Sequence, residues 1–307
     1  MTTIARSGDK PLACERSAWL PSEASSRRYA RLTRLQHYPL ETAVVMVFAK
    51  GTAPAEVARV ERATRLLAAA GVPVPAIHDS DPAHLWILQE DLGDESLATA
   101  AARGADLADL HARAVALLPP LAALGALETS PQPPLDERRL QRELDQFIAA
   151  ALLLDGPPGP RLVEDMAALV ALCAALPRVL CHRDFHARNL MWHGGRVRVV
   201  DHQDALPGPE PYDRVSLAYD PYVVRPDAER DALAGDAPGT AAVAVQRLVK
   251  AIGTFASKAA EGGPSSAGPW RQWIAPAARQ ARRLIRRGEL RLPVLDAALG
   301  PLAVSAP

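Results

Sequence analysis

The segment His-Arg-Asp-Phe-His-Ala-Arg-Asn occupies residues 182–189, and Asp201 follows it by twelve residues at the end of the run Val-Arg-Val-Val. Short apolar runs flank this polar segment at 179–180, 190–192 and 197–200, with a Gly-Gly pair at 194–195. Such runs predict a polar loop followed by a tight hairpin. A loop and the end of a neighbouring strand can present several polar side chains to one point, so we expect the chemistry of the protein here.

Three side chains of this stretch suit phosphoryl transfer. Asp184 can reach an acceptor hydroxyl, while the oxygen ligands of Asn189 and Asp201 suit Mg²⁺ held against nucleotide phosphates. The same order of catalytic Asp, Asn and metal-binding Asp occurs in the catalytic loop and following motif of protein kinases. The motif therefore predicts a magnesium-dependent phosphotransferase.

Two other interpretations of this stretch remain open. Asp184 and Asn189 can cap turns, although capping does not explain an aspartate directly after a buried strand. A zinc site is the second alternative, because five potential ligands crowd together: Cys181, His182, His186, His193 and His202. Their spacing would place ligands on one face only in a helix, whereas the surrounding pattern predicts a loop.

The rest of the chain divides into a strand-rich part and a helical part. Before Leu92 the pattern predicts strands at 28–33, 43–49 and 84–89 and a helix over 54–70, which begins at Pro54 and ends before Gly71. After Gly93 it predicts helices at 106–118, 135–154 and 162–176. Residues 262–268 resemble a flexible loop, and seven arginines between 271 and 291 are predicted on the solvated face of a helix.

Composition limits the location and partners of the protein. Of 307 residues, 35 are Lys or Arg and 35 are Asp or Glu, so the formal net charge is zero. This balance argues against recruitment to nucleic acid or to an anionic membrane. Three irregularly spaced cysteines, with no secretory or membrane-spanning run, predict free thiols in the cytoplasm. We expect a monomer whose partners are small molecules.

Residues 182–191 and Val199-Val200-Asp201 resemble the aminoglycoside phosphotransferase and choline kinase family. Within it, this stretch and the segments 201–205 and 208–217 are most similar to bacterial anomeric N-acetylmuramate/N-acetylglucosamine kinases. The resemblance extends to 25–29, 89–93 and 246–255, and so covers most of residues 22–258. It implies an α+β, two-lobed protein-kinase-like fold. The small β-rich N-terminal lobe would span 1–91, and the larger, mostly helical C-terminal lobe 92–307.

The resemblance also implies roles for individual residues. Asp184 would be the catalytic residue, and Asn189 and Asp201 would bind Mg²⁺. The expected ATP-binding residues are Ser25, Ser26 and Arg27 over the phosphates, Met46 in the second strand, and Glu90 and Leu92, whose backbone groups would receive the adenine. Expected substrate contacts are Glu143, Arg188 and Asp204, although Glu143 could instead form a surface ion pair and Arg188 could face solvent.

Two positions depart from common patterns. Kinases of this fold usually carry a phosphate-binding lysine where this chain has Met46, a feature shared by the anomeric sugar kinases. Arg27 or Arg28 could supply the charge instead, and Glu61, a candidate partner for the missing lysine, could equally lie on a solvated helix face. His202 replaces an aromatic residue, with no predicted effect. Asp213 is expected either to brace the loop at 182 through backbone N–H groups or to take a direct part in the site.

The combined prediction is an ATP- and Mg²⁺-dependent kinase. It would phosphorylate the anomeric hydroxyl of N-acetylmuramate or N-acetylglucosamine, as in the recycling of bacterial cell-wall sugars. One alternative is an aminoglycoside- or choline-type phosphotransferase. Another is a catalytically inactive, nucleotide-binding kinase-like module, since the strand lysine is missing.

Overall fold

The computed structural model describes residues 2–7, 10–21, 27–124, 132–152, 158–261, 268–287 and 290–304. Two compact units divide the chain: the first comprises Met1–Pro120 and Arg188–Ala205, and the second Leu121–Ala187 and Leu206–Pro307. Ser25, Ser26 and most of the predicted loop at 262–268 lie outside the described residues. The predicted lobe boundary after residue 91 stays a prediction.

A six-stranded antiparallel sheet is the largest β-structure of the first unit. The strand order is β1-β2-β3-β4-β6-β5. The strands are β1 (Thr2–Ser7), β2 (Lys10–Trp19), β3 (Arg28–Leu35), β4 (Thr42–Val47), β5 (Ile77–Asp81) and β6 (Trp86–Gln89). Strands β3, β4 and β6 confirm the sequence prediction, whereas β1, β2 and β5 were not predicted. β5 reads Ile-His-Asp-Ser-Asp, so its pairing with β6 overrides a poor intrinsic strand propensity.

Helix α1 (Pro54–Ala69) confirms the predicted helix of the first unit. Proline occupies its first turn, where the missing N–H loses no hydrogen bond, and Gly71 follows its end with a φ of 80°. Its face carrying Val57 and Val60 packs with Met46, Phe48 and Ile87 of the sheet region. The unit also contains α2 (Leu97–Ala102), α3 (Leu107–Val115) and the hairpin of β8 (Leu190–His193) and β9 (Arg196–Val199).

Helices dominate the second unit, as predicted. After α4 (Leu118–Ala122), where the chain passes between the units, they are α5 (Glu137–Ala151), α6 (Pro160–Ala174), α7 (Tyr212–Ala218), α8 (Asp227–Ala234), α9 (Thr240–Glu261), α10 (Gly268–Arg271), α11 (Ile274–Arg286) and α12 (Pro293–Val304). Strands β7 (Arg178–Cys181) and β10 (Leu206–Pro209) pair antiparallel. In the described part of the chain, no helix is long and apolar enough to cross a membrane.

The C-terminal arginines engage carboxylates instead of projecting only into solvent. Arg283 and Arg287 on and after α11 bond to Asp231 of α8, and Arg282 and Arg286 bond to Asp296 of α12. These pairs connect three helices of the unit. The predicted solvated face is therefore also an ion-paired one.

Gly253 allows α9 to approach α5 closely in the core of the second unit. A Cβ atom added to Gly253 would lie 2.7 Å from Cα and 2.8 Å from the backbone N of Phe147. Backbone atoms cannot move aside as a flexible side chain can, so glycine is required sterically here.

Two buried carboxylates hold the polar loop 182–187. Asp213 of α7 accepts hydrogen bonds from the backbone N–H groups of His182 and Arg183, at 2.6 and 2.9 Å. Asp220 accepts one from Ala187 N–H at 2.6 Å. Both ends of the loop are thus fixed, and the predicted bracing role of Asp213 is confirmed. Such bracing supports the φ of 76° at Arg183, an uncommon value for a non-glycine residue.

We expect Gly253→Ala to destabilise the protein by about 1–3 kcal/mol, because the new methyl group forces α5 and α9 apart. Urea unfolding of the variant measures the loss. Gly300→Ala is the matched control: Gly300 also lies in a helix, but its added Cβ finds no atom closer than 3.5 Å. Equal unfolding midpoints for both variants would contradict the packing argument.

Asp213→Asn should lower the free energy of unfolding by about 1–3 kcal/mol, because an amide has one acceptor oxygen for two buried N–H donors. The exposed Asp236 supplies the control, and Asp236→Asn should change stability by less than about 0.5 kcal/mol. Urea unfolding and backbone hydrogen exchange at 182 and 183 test the prediction. Unchanged protection of these two amides would contradict the bracing role.

Candidate active site

The β8–β9 hairpin brings Asn189 and Asp201 together in the first unit. Asn189 precedes β8 and Asp201 follows β9 two residues beyond the last paired residue, Val199. The backbone N–H of Val200 donates to the carbonyl of Asn189 at 3.0 Å, which closes the open end of the hairpin. Asp201 has a φ of 59°, an uncommon conformation that aspartate tolerates better than most residues. The predicted neighbourhood of these two oxygen-bearing side chains is therefore present.

Asn189 and Asp201 line a cleft of about 320 Å³ within the first unit. The segment 89–93, called the hinge segment below, forms another part of its wall. Apolar side chains cover much of the remaining surface: Leu20, Val44, Met46, Val60, Met191 and Val200. A largely apolar cleft lined by backbone groups and by acidic or amide side chains can accommodate an apolar base joined to a charged chain.

The hinge segment shows which backbone groups can take part in binding. Glu90 donates its N–H to the carbonyl of Ala76 at 2.8 Å, and its carboxylate pairs with Arg198. Its carbonyl oxygen is therefore the group left for a ligand. Among the described residues, the backbone N–H of Leu92 has no hydrogen-bond partner, and Leu92 is buried in the cleft wall. A neighbouring acceptor and donor of this kind match the edge of an adenine ring.

Met46 contributes an apolar side chain to the cleft. It is 4% exposed and lies between Tyr29 and Ile87 in the sheet register. Glu61 of α1 bonds instead to the Ser80 hydroxyl and pairs with Arg65, so it does not point to a cation at position 46. The structure thus contains no lysine–glutamate link between this strand and α1.

Arg27 and Arg28, the two proposed substitutes for the lysine, point to different partners. The Arg27 guanidinium lies 3.4 Å from an Asp201 oxygen and 3.8 Å from an Asp204 oxygen. Arg28 stacks on the Trp19 ring, 3.9 Å from its centroid. Arg27 is therefore the one of the two that reaches the acidic turn 201–204, where Asp201 and Asp204 lie.

His202 and Tyr29 lie near Asp201 in the cleft wall. His202 is buried, and its Nε2 lies 2.7 Å from the Thr64 hydroxyl on α1. Because that hydroxyl donates its single proton to the Val60 carbonyl, His202 is the donor. Burial, with the nearby charges of Asp201 and Asp204, raises the pKa of Tyr29 to about 12. The open question about His202 thus has a structural answer: it anchors the turn to α1.

Asp184 lies in the second unit, on the braced loop 182–187. Burial alone would raise the pKa of its carboxyl, but the positive charges of Lys250, Arg247 and Arg183 hold that pKa well below its ordinary value. The carboxylate is therefore ionised at neutral pH. An anion so strongly stabilised is suited to orienting a hydroxyl and receiving its proton late in a reaction.

The predicted substrate residues have distinct environments. Glu143 is 13% exposed in its side chain, and its carboxylate contacts Arg183 at 2.9 Å, Gln246 at 2.8 Å and Lys250 at 3.3 Å. This buried cluster differs from the surface ion pair considered for it. Asp204 bonds to Arg59 and lies near Arg27, and Arg188 is half-buried. Their contacts with substrate stay predictions.

A second cavity, of about 330 Å³, lies within the helical unit beside the same loop. His186, two residues after Asp184, forms part of its wall, and burial lowers the pKa of this histidine. Tyr222 connects His186 to Trp273 through ring contacts with centroids 5.3 and 5.7 Å apart. Arg230, Arg247 and Arg279 also line the cavity, and no Asp or Glu is among its described lining residues.

Metal binding by the protein requires a suitable set of ligand side chains among the described residues. Within that part of the chain, no group of three or more His, Cys, Asp and Glu side chains could hold a metal ion. The alternative zinc site therefore has no ligand set. Magnesium is different, since it commonly uses one or two protein oxygens together with substrate phosphates and water. Asn189 and Asp201 fit that requirement.

Sequence reasoning missed Arg59 of α1, whose guanidinium reaches the acidic turn 201–204. A single arginine on a helix does not form part of a recognisable sequence motif. Its position one turn after Glu56, on the side of α1 near Val60, is the only signal that the sequence offers.

Comparisons with known proteins extend these observations. The chain is 33% identical over 223 residues to the N-acetylmuramate/N-acetylglucosamine kinase of Pseudomonas putida KT2440. That alignment covers 70% of this chain and 62% of the relative, so the chain spans about three fifths of the relative's length.

Two solved structures share the fold at low sequence identity. A choline/ethanolamine kinase family protein from Mesorhizobium loti has a TM-score of 0.61 and 16% identity, covering 94% of this chain and 93% of its own. An aminoglycoside phosphotransferase in a ternary complex with ADP and hygromycin B has a TM-score of 0.57 and 14% identity, covering 90% and 95%. The predicted α+β kinase-like fold class is confirmed.

A family model provides the assignment. The model of the phosphotransferase enzyme family (APH) matches residues 20–248, a region that contains the loop, the hairpin and the hinge segment. Because this region is well over half of the sequence, the chain belongs to the phosphotransferase enzyme family.

Proposed function

We propose that this protein is an ATP- and Mg²⁺-dependent kinase that phosphorylates the anomeric hydroxyl of N-acetylmuramate or N-acetylglucosamine. The observation that carries the proposal is the hairpin that places Asn189 and Asp201 on the wall of a cleft bordered by the hinge segment. The Pseudomonas putida relative, named for these two sugars, supports the choice of acceptor.

The cleft of the first unit is the proposed ATP site. Adenine would lie among Leu20, Val44 and Met191, with its polar edge at the Glu90 carbonyl and the Leu92 N–H. The Arg27 guanidinium, close to Asp201, would hold the phosphate charge, as predicted for it. Ser25 and Ser26 stay predicted phosphate contacts.

Asn189 and Asp201 are the proposed magnesium ligands. When bound, Mg²⁺ neutralises charge on the phosphate oxygens and so favours transfer of the terminal phosphoryl group. The chain's contribution is to hold two oxygen ligands side by side at the open end of the hairpin. Gln203, which donates to an Asp201 oxygen at 2.7 Å, fixes the direction of that carboxylate.

Asp184 is the proposed catalytic residue. Its carboxylate would accept a hydrogen bond from the anomeric hydroxyl and direct that oxygen towards the terminal phosphorus of ATP. The bond from this phosphorus to the ADP oxygen breaks as the bond to the sugar oxygen forms, and the hydroxyl proton passes to Asp184 and then to solvent. Since its pKa is depressed, proton transfer would come late, as expected for a loose phosphoryl-transfer transition state.

The cavity beside His186 is the proposed acceptor site. Its three arginines and lack of described carboxylates disfavour a polycationic aminoglycoside, whose amino groups need acidic partners. A neutral or anionic sugar meets no such conflict, and the Trp273 ring offers a flat apolar surface for it. The charge of the cavity therefore favours the N-acetyl sugars over kanamycin or choline.

We expect Mg²⁺-dependent consumption of ATP with N-acetylmuramate or N-acetylglucosamine, and little with glucose, choline or kanamycin. Phosphorus NMR of the product should show phosphate on the anomeric oxygen. Transfer to kanamycin or choline would replace the proposed acceptor class. Nucleotide binding without transfer to any of the five would favour the inactive module suggested by Met46.

Asp184→Asn should lower kcat by about 10²–10⁴-fold, because the amide cannot accept the hydroxyl proton. ADP affinity, measured by isothermal titration calorimetry, should stay within about 2-fold of wild type because the proposed ATP cleft does not include Asp184. Asp236→Asn, an exposed change in the same unit, should leave both quantities unaltered. Near wild-type turnover of Asp184→Asn would remove this residue from the mechanism.

A further inference from the structure

Helix α1 is tied directly to the acidic turn 201–204 within the first unit. The Arg59 guanidinium donates to the Gln203 carbonyl at 2.6 Å and to an Asp204 oxygen at 3.2 Å. Five residues further along the helix, Thr64 accepts the hydrogen bond from His202. Three consecutive residues after Asp201 are thus bound to side chains of α1.

Arg59 is itself held in place on its helix. Glu56, three residues earlier, accepts from Arg59 Nη2 at 2.6 Å and from Nε at 3.1 Å. Only 16% of the Arg59 side chain is exposed. The planar guanidinium therefore bonds to Glu56 along one edge and to the turn with its remaining nitrogen, a fork geometry that lysine cannot reproduce.

The turn needs such support because it concentrates negative charge. Asp201 and Asp204 lie three residues apart, and Gln203 donates from one amide nitrogen to both carboxylates, at 2.7 and 3.3 Å. Asp201 also has the uncommon positive φ noted above. Without Arg59, Asp204 and the Gln203 carbonyl would lose their contact with α1, and the turn would be positioned less firmly relative to that helix.

We infer that Arg59 is a positioning residue for the proposed magnesium site: it fixes the acidic turn to α1 and thereby the orientation of Asp201. The inference rests on the proposed function. In protein kinases, a lysine on the strand and a glutamate on the helix connect that helix to the nucleotide phosphates. Here Met46 and the engaged Glu61 exclude that link, and Arg59 connects the same helix to the metal-binding turn.

Binding of ADP with and without Mg²⁺, followed by isothermal titration calorimetry, tests Arg59 independently of turnover. In wild type, Mg²⁺ should tighten ADP binding. In Arg59→Gln, this tightening should fall by about 10-fold, the usual scale for losing a group that orients a metal ligand, while metal-free ADP binding changes less. Arg59→Lys should behave like Arg59→Gln, because it keeps the charge but loses the fork.

Arg62→Gln provides the matched control. Arg62 lies on the same helix, is exposed, and forms none of the described contacts with the turn. This variant should bind ADP with and without Mg²⁺ as wild type does. If Arg62→Gln lost the tightening equally, the effect would come from the charge of α1 and the inference would be wrong.

Asp204→Asn tests the same contact from its other end and does not depend on the folding of Arg59→Gln. Its Mg²⁺-dependent tightening should also decrease, and the double variant Arg59→Gln/Asp204→Asn should lose less than the product of the two single losses. Independent effects of the two changes, or unchanged tightening in a folded Arg59→Gln protein, would overturn the inference. Absence of Mg²⁺-dependent ADP binding in wild type would instead reject the proposed function itself.

Discussion

The proximity of two carboxylates, Asp201 and Asp204, is the constraint around which the candidate nucleotide site is organised. Each of two neighbouring carboxylates disfavours the charged form of the other, and nearby cations and hydrogen-bond donors offset this effect. Arg27, Arg59 and Gln203 provide these groups from a loop, a helix and the turn itself. In our proposal, the cations and donors that surround the turn also prepare an oxygen ligand and a nearby cation for a phosphate-bound metal.

In the second unit, the carboxylate of Asp184 has a different environment. Asp184 is surrounded by Lys250, Arg247 and Arg183, while Glu143 bonds to two of these cations and so limits their excess charge. The loop geometry depends on Asp213 and Asp220, which accept hydrogen bonds from backbone N–H groups of the loop. Side-chain cations thus set the charge around Asp184, and bonds to the backbone set the shape of the loop.

The replacement of lysine by Met46 has a consistent physical explanation. Position 46 is buried beside Val57, Val60 and Ile87, where an ammonium group would need a carboxylate partner. Glu61 instead bonds to Ser80 and pairs with Arg65, so it does not provide the carboxylate that a lysine at position 46 would need. The positive charges beside the acidic turn belong to Arg27 and Arg59, whose side chains are partly accessible to solvent. In our proposal, these two arginines allow phosphate and metal binding without a buried cation at position 46.

Local apolar patterns and short chain separations were enough to predict the α+β class, helix α1, the hairpin and the joint position of Asn189 and Asp201. Bracing of the loop by Asp213 was one of the two roles predicted for it, and the structure shows that contact. The strands β1, β2 and β5, the approach of Arg27 and not Arg28 to Asp201, and the contacts of Arg59 and Thr64 with the turn became visible only in the folded protein. The three strands depend on pairing with strands nearby in sequence, which outweighs local propensity. The contacts of Arg27, Arg59 and Thr64 depend on side-chain directions and on partners more than a hundred residues away, which leave no periodic signal in the sequence.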